Sequence, residues 1–305
     1  VVIGQAAFGK SVVQSLGDAG EDVVAVFCPV DRAGKELDPI KQEALSRAIP
    51  VLQFKRMRDD EAVQAFLEIG PDLCVMAFVT DFVPSSILQA PVQGTIQYHP
   101  SMLPLHRGPS SINWPIIQGE TMTGVSIFWP DDGLDTGPIL TQKTAAIGPD
   151  DTVGSLYYEK LFPLGVEAIT QAVALIRQGI APKISQDHES ATYESWCGLK
   201  EGVIDWSTQG SVIYNLIRGC DPRPGASARV GSHLVHFFDA EYQKETHDVP
   251  SGTVTSVGRE GFSVAVDGGY ILITTVQVEG SRIPAGSWAS INLTIGDMFT
   301  ADTLS

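Results

Sequence analysis

The chain opens with VVIGQAAFGKS (residues 1–11), and this stretch predicts the fold class. The apolar run Val1–Ile3 is typical of a buried strand, and the apolar spacing of a helix begins at Phe8. Gly4 and Gly9 lie where the chain must turn between these elements, and glycine tolerates the close backbone contacts of a tight turn. The opening residues therefore predict a strand, a turn and a helix.

The same alternation continues through the first 150 residues. Further strands are predicted at 22–28, 50–54, 73–78 and 94–98, and further helices at 37–48 and 59–69. Strands that alternate with helices form a parallel sheet that is covered on both faces. We therefore expect a Rossmann-like α/β domain with a mostly parallel sheet, whose ligands bind beyond the carboxyl ends of its strands.

The second half of the chain changes in character. Two strands (123–129 and 139–145) and one long helix (152–178) are followed by a polar, irregular stretch at 180–203, which we interpret as a linker. Beyond it the pattern predicts one helix and then short strands with glycine turns, at 210–218, 234–238, 252–257, 262–266 and 270–276. This pattern favours a small β-barrel-like domain. The expected domains are residues 1–203 and 204–305.

Composition limits the classes of partner. The net charge is −16, and no run of Lys and Arg offsets it, so a nucleic-acid partner is not expected. No apolar stretch approaches the roughly 20 residues that cross a membrane, and no signal peptide is recognisable. The four cysteines have no C-x-x-C spacing and are expected to be small core residues in a reducing, cytoplasmic compartment. The first residue is not Met, so we expect that some starting residues are missing.

The opening stretch also matches G-x-x-x-x-G-K-S, the pattern of a phosphate-binding loop. Such a loop needs backbone amides that converge on phosphate, and the residues between its fixed ends, Gln5 to Phe8, contain no glycine. The pattern fixes only half of its positions, and G-x-G-x-x-G is absent. A tight strand-to-helix turn is therefore favoured over a nucleotide hydrolase.

The densest group of reactive residues is YHPSMLPLHRG (residues 98–108), which follows a predicted strand. His99 stands at the carboxyl end of that strand, and two prolines stiffen the loop after it. A second group, DDGLDTGP (residues 131–138), places Asp135 in a glycine-rich loop between strands. If the two loops converge, a histidine could stabilise a developing oxyanion and a carboxylate could accept a proton, which is chemistry suited to acyl transfer.

Both stretches resemble the signatures of the folate-dependent formyltransferase family. HPSMLPLHRG is similar to its S-L-L-P-x-x-R-G motif, and DDGLDTGPIL (131–140) to its second signature. The resemblance extends over the whole chain, with further matches at 2–9, 111–114, 204–207, 217–221 and 224–226. It is closest to the amino-terminal hydrolase domain of 10-formyltetrahydrofolate dehydrogenase, and methionyl-tRNA formyltransferase is a related member.

The resemblance implies the formyltransferase fold, 10-formyltetrahydrofolate as formyl donor and no metal. By position, His99 and Asp135 match the catalytic residues of the family. The loop 78–84 would line the folate pocket through Asp81, Phe82 and Val83, and the loop 101–104 would shape the same cleft through Ser101, Met102, Leu103 and Pro104. His106 is interpreted as structural or as part of the rim of the cleft.

One position departs from the amine-formylating members, which carry N-x-H. Here the triplet is Gln97-Tyr98-His99, and the extra methylene of Gln97 moves its amide donor by about 1.5 Å. A donor misplaced in this way can cost roughly 10²-fold in rate. The hydrolase domain also lacks the asparagine, so water is favoured as the formyl acceptor, with Gln97 assisting His99 and Asp135.

Several alternatives stay open at this point. The acceptor could be a small amine, such as an amino sugar or another metabolite. Methionyl-tRNA is less favoured, because the segment 31–38, where tRNA-formylating relatives carry a basic insertion, is short and charge-balanced. A non-catalytic folate-binding module would need neither His99 nor Asp135. The expected partner is therefore a small-molecule folate, with no nucleic acid and no membrane.

Overall fold

The computed structural model describes residues 1–301, which form two compact units. The first unit contains 1–108, 124–145 and 159–193, and the second contains 109–123, 146–158 and 194–301. Each unit is thus built from three separate stretches of the chain. The boundary expected between residues 203 and 204 stays a prediction. Within residues 1–301, no helix combines the length and apolar character that crossing a bilayer requires.

A seven-stranded sheet forms the centre of the first unit, in the order β3-β2-β1-β4-β5-β6-β7. The strands are β1 (Val2–Gly4), β2 (Val26–Cys28), β3 (Val51–Gln53), β4 (Cys74–Ala77), β5 (Thr95–His99), β6 (Met122–Phe128) and β7 (Ile139–Ala146). The pairs among β1 to β5 are parallel, and β6 runs antiparallel to β5. The predicted mostly parallel Rossmann-like sheet is confirmed.

Helices of the first unit are amphipathic and bury their apolar sides. They are α1 (Ala6–Asp18), α2 (Pro39–Ser46), α3 (Asp60–Ile69), the single turn α4 (Ser85–Leu88), and a later helix described below. Phe8 of α1 stacks on Tyr98 of β5, with ring centroids 4.3 Å apart. Gly165 lies so close to the same tyrosine that a Cβ there would be 2.4 Å from its ring. The side of β5 that carries Tyr98 is therefore tightly packed, which fixes the strand that ends in His99.

The glycine-containing opening is a tight turn. A Cβ on Gly4 would lie 2.4 Å from the carbonyl oxygen of Ala77, so glycine is required by this close backbone approach. At the start of α1, the amide of Ala6 donates to Oδ1 of Asp38 at 2.8 Å. A carboxylate of the chain itself therefore occupies this helix start, and its negative charge would repel a phosphate. This arrangement favours the structural interpretation of G-x-x-x-x-G-K-S.

The single helix predicted over 152–178 is wrong. The chain forms a short turn α6 (Val153–Ser155), a π-helical segment (Leu156–Leu161) and then the regular helix α7 (Phe162–Arg177). Thr152 starts the segment with a capping box to Ser155. Pro163 lacks an amide hydrogen, and its ring would clash with the carbonyl four residues earlier. In the π-helical segment directly before this proline, hydrogen bonds between residues five apart take the place of the regular bonds between residues four apart.

The second unit is built on a six-stranded antiparallel sheet. Its path is β10-β11-β12-β9-β8, with β13 paired to β12. The strands are β8 (Ala226–Val230), β9 (His233–Lys244), β10 (Val254–Val257), β11 (Phe262–Val266), β12 (Gly269–Val278) and β13 (Ser281–Pro284), and the helices are α5 (Asn113–Ile117), α8 (Gly210–Gly219) and α9 (Ala285–Asn292). A cluster of aromatic rings lies in its core: Trp206, Phe237, Phe262, Trp288 and Phe299.

The cysteines are free thiols. Cys28, Cys74 and Cys220 are buried, and burial raises the pKa of Cys28 to about 11 and that of Cys74 to about 12. Cys197 is half-buried, with its Sγ 3.8 Å from that of Cys220. Three of the four thiols therefore behave as the small core residues that the sequence predicts.

Candidate active site

The candidate site begins at the last residue of β5, His99, which is 5% exposed. Its Nε2 lies 2.8 Å from the carbonyl oxygen of His106. Because a carbonyl can only accept, this contact places a proton on Nε2 and leaves Nδ1 directed at the second candidate residue. His106 thus acts through its backbone, in agreement with the structural role expected for it.

Asp135 lies opposite this imidazole. Its Oδ2 is 3.6 Å from Nδ1 of His99, and the side chain of Asp135 is 7% exposed. The same Oδ2 accepts a hydrogen bond from the amide of Gly108 at 2.9 Å. The structure therefore brings together the histidine and the carboxylate that the sequence placed in two separate loops.

The loop that carries Asp135 folds back toward β5. In the antiparallel pair, Phe128 at the end of β6 is level with Gln97, and Ser126 is level with His99. The chain leaves β6 in the direction away from His99, and yet residue 135 returns to contact distance of its ring. Asp135 itself has a left-handed backbone, with φ of +56°. For a residue other than glycine this conformation is strained, and surrounding contacts must hold it.

Gln97 precedes His99 by two residues and is half-buried. Side chains two apart on a strand share a face, so Gln97 and His99 face the same side of the sheet. The assisting role of Gln97 stays a prediction.

The three candidate residues of the loop 78–84 differ in their contacts and in their exposure. The carboxylate of Asp81 accepts hydrogen bonds from the amides of Met57 (2.6 Å) and Phe82 (2.9 Å), so it holds the loop in shape. Val83 is buried in the core of the first unit. Phe82 is 60% exposed, and Phe78 is half-exposed with a left-handed backbone. Of this loop, the phenylalanines present the accessible apolar surface.

The loop 101–104 is anchored from inside. Ser101 is fully buried and donates to the carbonyl of Leu105 at 2.7 Å, and the amide of Leu103 donates to Oγ of Ser126 at 3.1 Å. Leu103 packs in a small buried cluster, whereas Met102 and Pro104 are half-buried. Ser101 and Leu103 therefore set the shape of the loop, and Met102 and Pro104 are its more accessible members.

A hydrogen bond joins the loop of Asp135 to the residue that follows the loop 78–84. Oγ of Ser85, directly after the loop 78–84, donates to Oδ1 of Asp132 at 2.5 Å. Leu134, two residues further along, is 58% exposed. Exposed apolar side chains on linked loops next to a buried histidine and carboxylate are an arrangement typical of a ligand site.

Sequence reasoning missed two residues of this region, Arg107 and Gln186. Both side chains are buried. Gln186 contacts the backbone of the Asp135 loop, and Arg107 contacts the side chain of Gln186. Arg107 stood within the quoted motif, but no role was assigned to it. Gln186 lies in the stretch interpreted as a linker, where no pattern in the sequence marks a buried residue.

Replacing Gly137 by alanine is expected to displace the Asp135 loop. A Cβ at this position would lie 1.8 Å from the carbonyl oxygen of Trp129, a backbone atom that cannot rotate away. We expect the free energy of unfolding to fall by about 2–3 kcal/mol, as for other overpacked sites, and any activity that uses Asp135 to fall roughly 10²-fold. Thermal denaturation and turnover measurements check this.

Gly258→Ala, in the second unit, is the matched control. There the nearest atom to the added Cβ would be the carbonyl oxygen of Gly261 at 3.9 Å, an ordinary contact, so turnover should stay within about threefold of the unaltered protein. Equal turnover and stability in Gly137→Ala and the unaltered protein would contradict the packing argument.

Within residues 1–301, no group of three or more His, Cys, Asp or Glu side chains is placed to hold a metal ion. The imidazole of His99 and the carboxylate of Asp135 are groups capable of acid–base and hydrogen-bonding chemistry.

Comparison with known proteins connects these loops to a family. Residues 1–173 match the formyl transferase family, and residues 199–292 match the formyl transferase C-terminal domain. The chain is 38% identical to mitochondrial 10-formyltetrahydrofolate dehydrogenase of Mus musculus over 99% of its own length and 35% of that protein. The chain thus spans about a third of the dehydrogenases it matches.

Two further proteins show how widely the fold extends. Methionyl-tRNA formyltransferase of Geotalea daltonii is 35% identical, and the match covers 94% of this chain and 93% of that protein. The crystal structure of HypX from Aquifex aeolicus in complex with tetrahydrofolic acid superimposes with a TM-score of 0.68 at 19% identity, over 94% of this chain and 46% of that one. With both of its domain matches in place, this chain belongs to the formyl transferase family.

Proposed function

We propose that this chain removes the formyl group of 10-formyltetrahydrofolate by transfer to water, which yields tetrahydrofolate and formate. The observation that carries the proposal is the buried pair of His99 Nδ1 and Asp135 Oδ2, 3.6 Å apart. Similarity over nearly the whole chain to 10-formyltetrahydrofolate dehydrogenases supports the formyl donor.

In the proposed mechanism, the carboxylate of Asp135 accepts a proton from water as the water oxygen attacks the formyl carbon. The oxygen of the formyl group gains negative charge, and an imidazolium at His99 stabilises it through Nδ1–H. Since Nε2 is held by the carbonyl of His106, the ring is oriented before substrate binds. The bond between the formyl carbon and N10 of the folate then breaks, N10 takes up the proton, and formate leaves.

The folate would lie against the loops 78–84 and 131–137. Phe78, Phe82 and Leu134 offer exposed apolar surface to a flat ring system, while backbone groups of the loops provide hydrogen bonds. Gln97 is proposed to assist His99 from two residues away. Asp81, Val83, Ser101 and Leu103 would support the pocket by holding its loops in place.

Formyl transfer to an amine is the second candidate. The match to a methionyl-tRNA formyltransferase over 93% of that protein favours it. The net charge of −16 argues against tRNA as the acceptor, because electrostatic attraction to phosphates provides much of the affinity for nucleic acids. A small amine therefore remains the stronger form of this alternative.

Incubation with 10-formyltetrahydrofolate alone distinguishes the candidates. We expect formate and tetrahydrofolate to appear in equal amounts without any added amine. If tetrahydrofolate forms only after an amino sugar nucleotide or methionyl-tRNA is added, the activity is formyl transfer to an amine and not hydrolysis. If neither addition releases tetrahydrofolate, the proposed function is wrong.

A further inference from the structure

Gln186 is a buried amide that contacts the backbone of the Asp135 loop at two points. It is 5% exposed, and its Nε2 donates to the carbonyl of Asp135 at 2.9 Å and to the carbonyl of Gly137 at 2.7 Å. One side chain therefore holds the loop on both sides of Thr136. The four residues that precede Asp135 in the loop, 131–134, are exposed.

Arg107 determines which way this amide points. It is 1% exposed, and its Nε and Nη2 donate to Oε1 of Gln186 at 3.1 and 2.6 Å. A guanidinium has donors only, so it selects the oxygen of the amide and turns Nε2 of Gln186 toward the loop. Tyr193 and His188 hold the other side of Arg107, through contacts of 2.5 and 3.2 Å to its guanidinium nitrogens.

The backbone after Arg107 completes the arrangement, because the amide of Gly108 donates to Oδ2 of Asp135. Two neighbouring residues thus hold Asp135 in different ways: Gly108 binds its carboxylate, and Arg107 acts on its backbone through Gln186. Asp135 has a strained left-handed backbone, which persists only where surrounding contacts enforce it. Gln186 provides two of those contacts.

We propose that Gln186, oriented by Arg107, is a positioning residue that holds Asp135 at its working distance from His99. The inference rests on the proposed function in one respect, which is that Asp135 accepts the proton from the attacking water. Gln186 itself touches no reacting atom. Its loss should therefore lower the rate of the chemical step and leave folate binding largely intact.

The variant Gln186→Glu separates the contact with Arg107 from the two hydrogen bonds to the loop. A glutamate keeps an acceptor oxygen for Arg107, but it presents a second oxygen to the carbonyls of Asp135 and Gly137, which it cannot bond. We expect kcat for formate release to fall roughly 10²-fold, the usual consequence of a catalytic group displaced by about 1 Å. KM and the affinity for 5-formyltetrahydrofolate should stay within about threefold.

Two further variants control for general loss of stability. Gln186→Met removes the hydrogen bonds without adding charge, and it should show the same split between kcat and KM. Ser15→Ala removes the 2.7 Å hydrogen bond between Ser15 and Thr170, which joins α1 to α7 away from the site. It should lower the melting temperature and leave kcat unchanged. An unchanged kcat in both Gln186 variants, or a parallel loss of kcat and folate affinity, would overturn the inference.

Amide hydrogen exchange tests the positioning without any turnover. In Gln186→Glu and Gln186→Met, residues 131–138 should exchange faster than in the unaltered protein, whereas β6 should not change. Unaltered exchange in this loop overturns the inference even if formate is released normally by the unaltered protein. Conversely, faster exchange of the loop in a protein that releases no formate would contradict the proposed function and leave the positioning itself supported.

Discussion

The Asp135→Asn variant is expected to release formate about 10³-fold more slowly than the unaltered protein, within the range of general acid–base catalysis. Asparagine retains an oxygen that can accept the hydrogen bond from the amide of Gly108, so we expect the loop to keep its position. The amide oxygen cannot accept the proton of the attacking water at neutral pH. The measurement is single-turnover formate release at saturating 10-formyltetrahydrofolate.

Asp18→Asn is the matched control for this change. It removes the same charge from an exposed carboxylate, whose ion pair with Arg47 at 3.3 Å is of the surface type that contributes little. Its turnover should equal that of the unaltered protein. Asp135→Asn should also bind 5-formyltetrahydrofolate within about threefold of the unaltered affinity. Turnover within tenfold of normal in Asp135→Asn would remove Asp135 from the mechanism.

Much of the first unit could be predicted because its strands are short apolar runs separated by amphipathic helices. This local alternation determines the sheet class without any knowledge of long-range contacts. One exception is the stretch 152–178, where apolar periodicity continued across Pro163 and concealed the π-helical segment before it. Periodicity reports which side of a segment is apolar, and it does not report the hydrogen-bond ladder.

In the second unit, the prediction matched β11 but made β9 and β12 shorter than they are. β9 runs from His233 to Lys244, whereas the pattern indicated only 234–238, because its second half alternates with polar residues on an exposed face. β8 was not predicted at all. Its sequence, ASARV, contains small residues with little intrinsic preference for strands, and pairing with β9 is what makes it one.

Some residues of the candidate site could likewise be predicted from the sequence, and others could not. His99 and Asp135 could be singled out because each lies in a dense local motif, with proline or glycine around a reactive side chain. Their approach to 3.6 Å depends on the return of the loop after β6, which strand register alone does not imply. Gln186 could not be found, because its burial and its two carbonyl partners result from tertiary structure in a stretch without periodicity.

His99→Ala is expected to lower formate release by roughly 10²–10³-fold, the usual effect of removing one group that stabilises an oxyanion. The substitution also removes the ring whose Nε2 bonds the carbonyl of His106 and whose Nδ1 faces Asp135. Stopped-flow or quenched single-turnover assays measure the effect on the chemical step, and 5-formyltetrahydrofolate affinity shows whether the folate pocket survives.

The double variant His99→Ala with Asp135→Asn tests whether the two residues act as one unit. Groups that cooperate in a single transition state give strongly non-additive effects. The rate of formate release by the double variant should therefore be at most about tenfold lower than that of Asp135→Asn alone. Independent roles would instead multiply the two losses, to roughly 10⁵–10⁶-fold. A fully multiplicative result would mean that the 3.6 Å approach of imidazole and carboxylate does not couple them in catalysis, and the mechanism would need a separate partner for each.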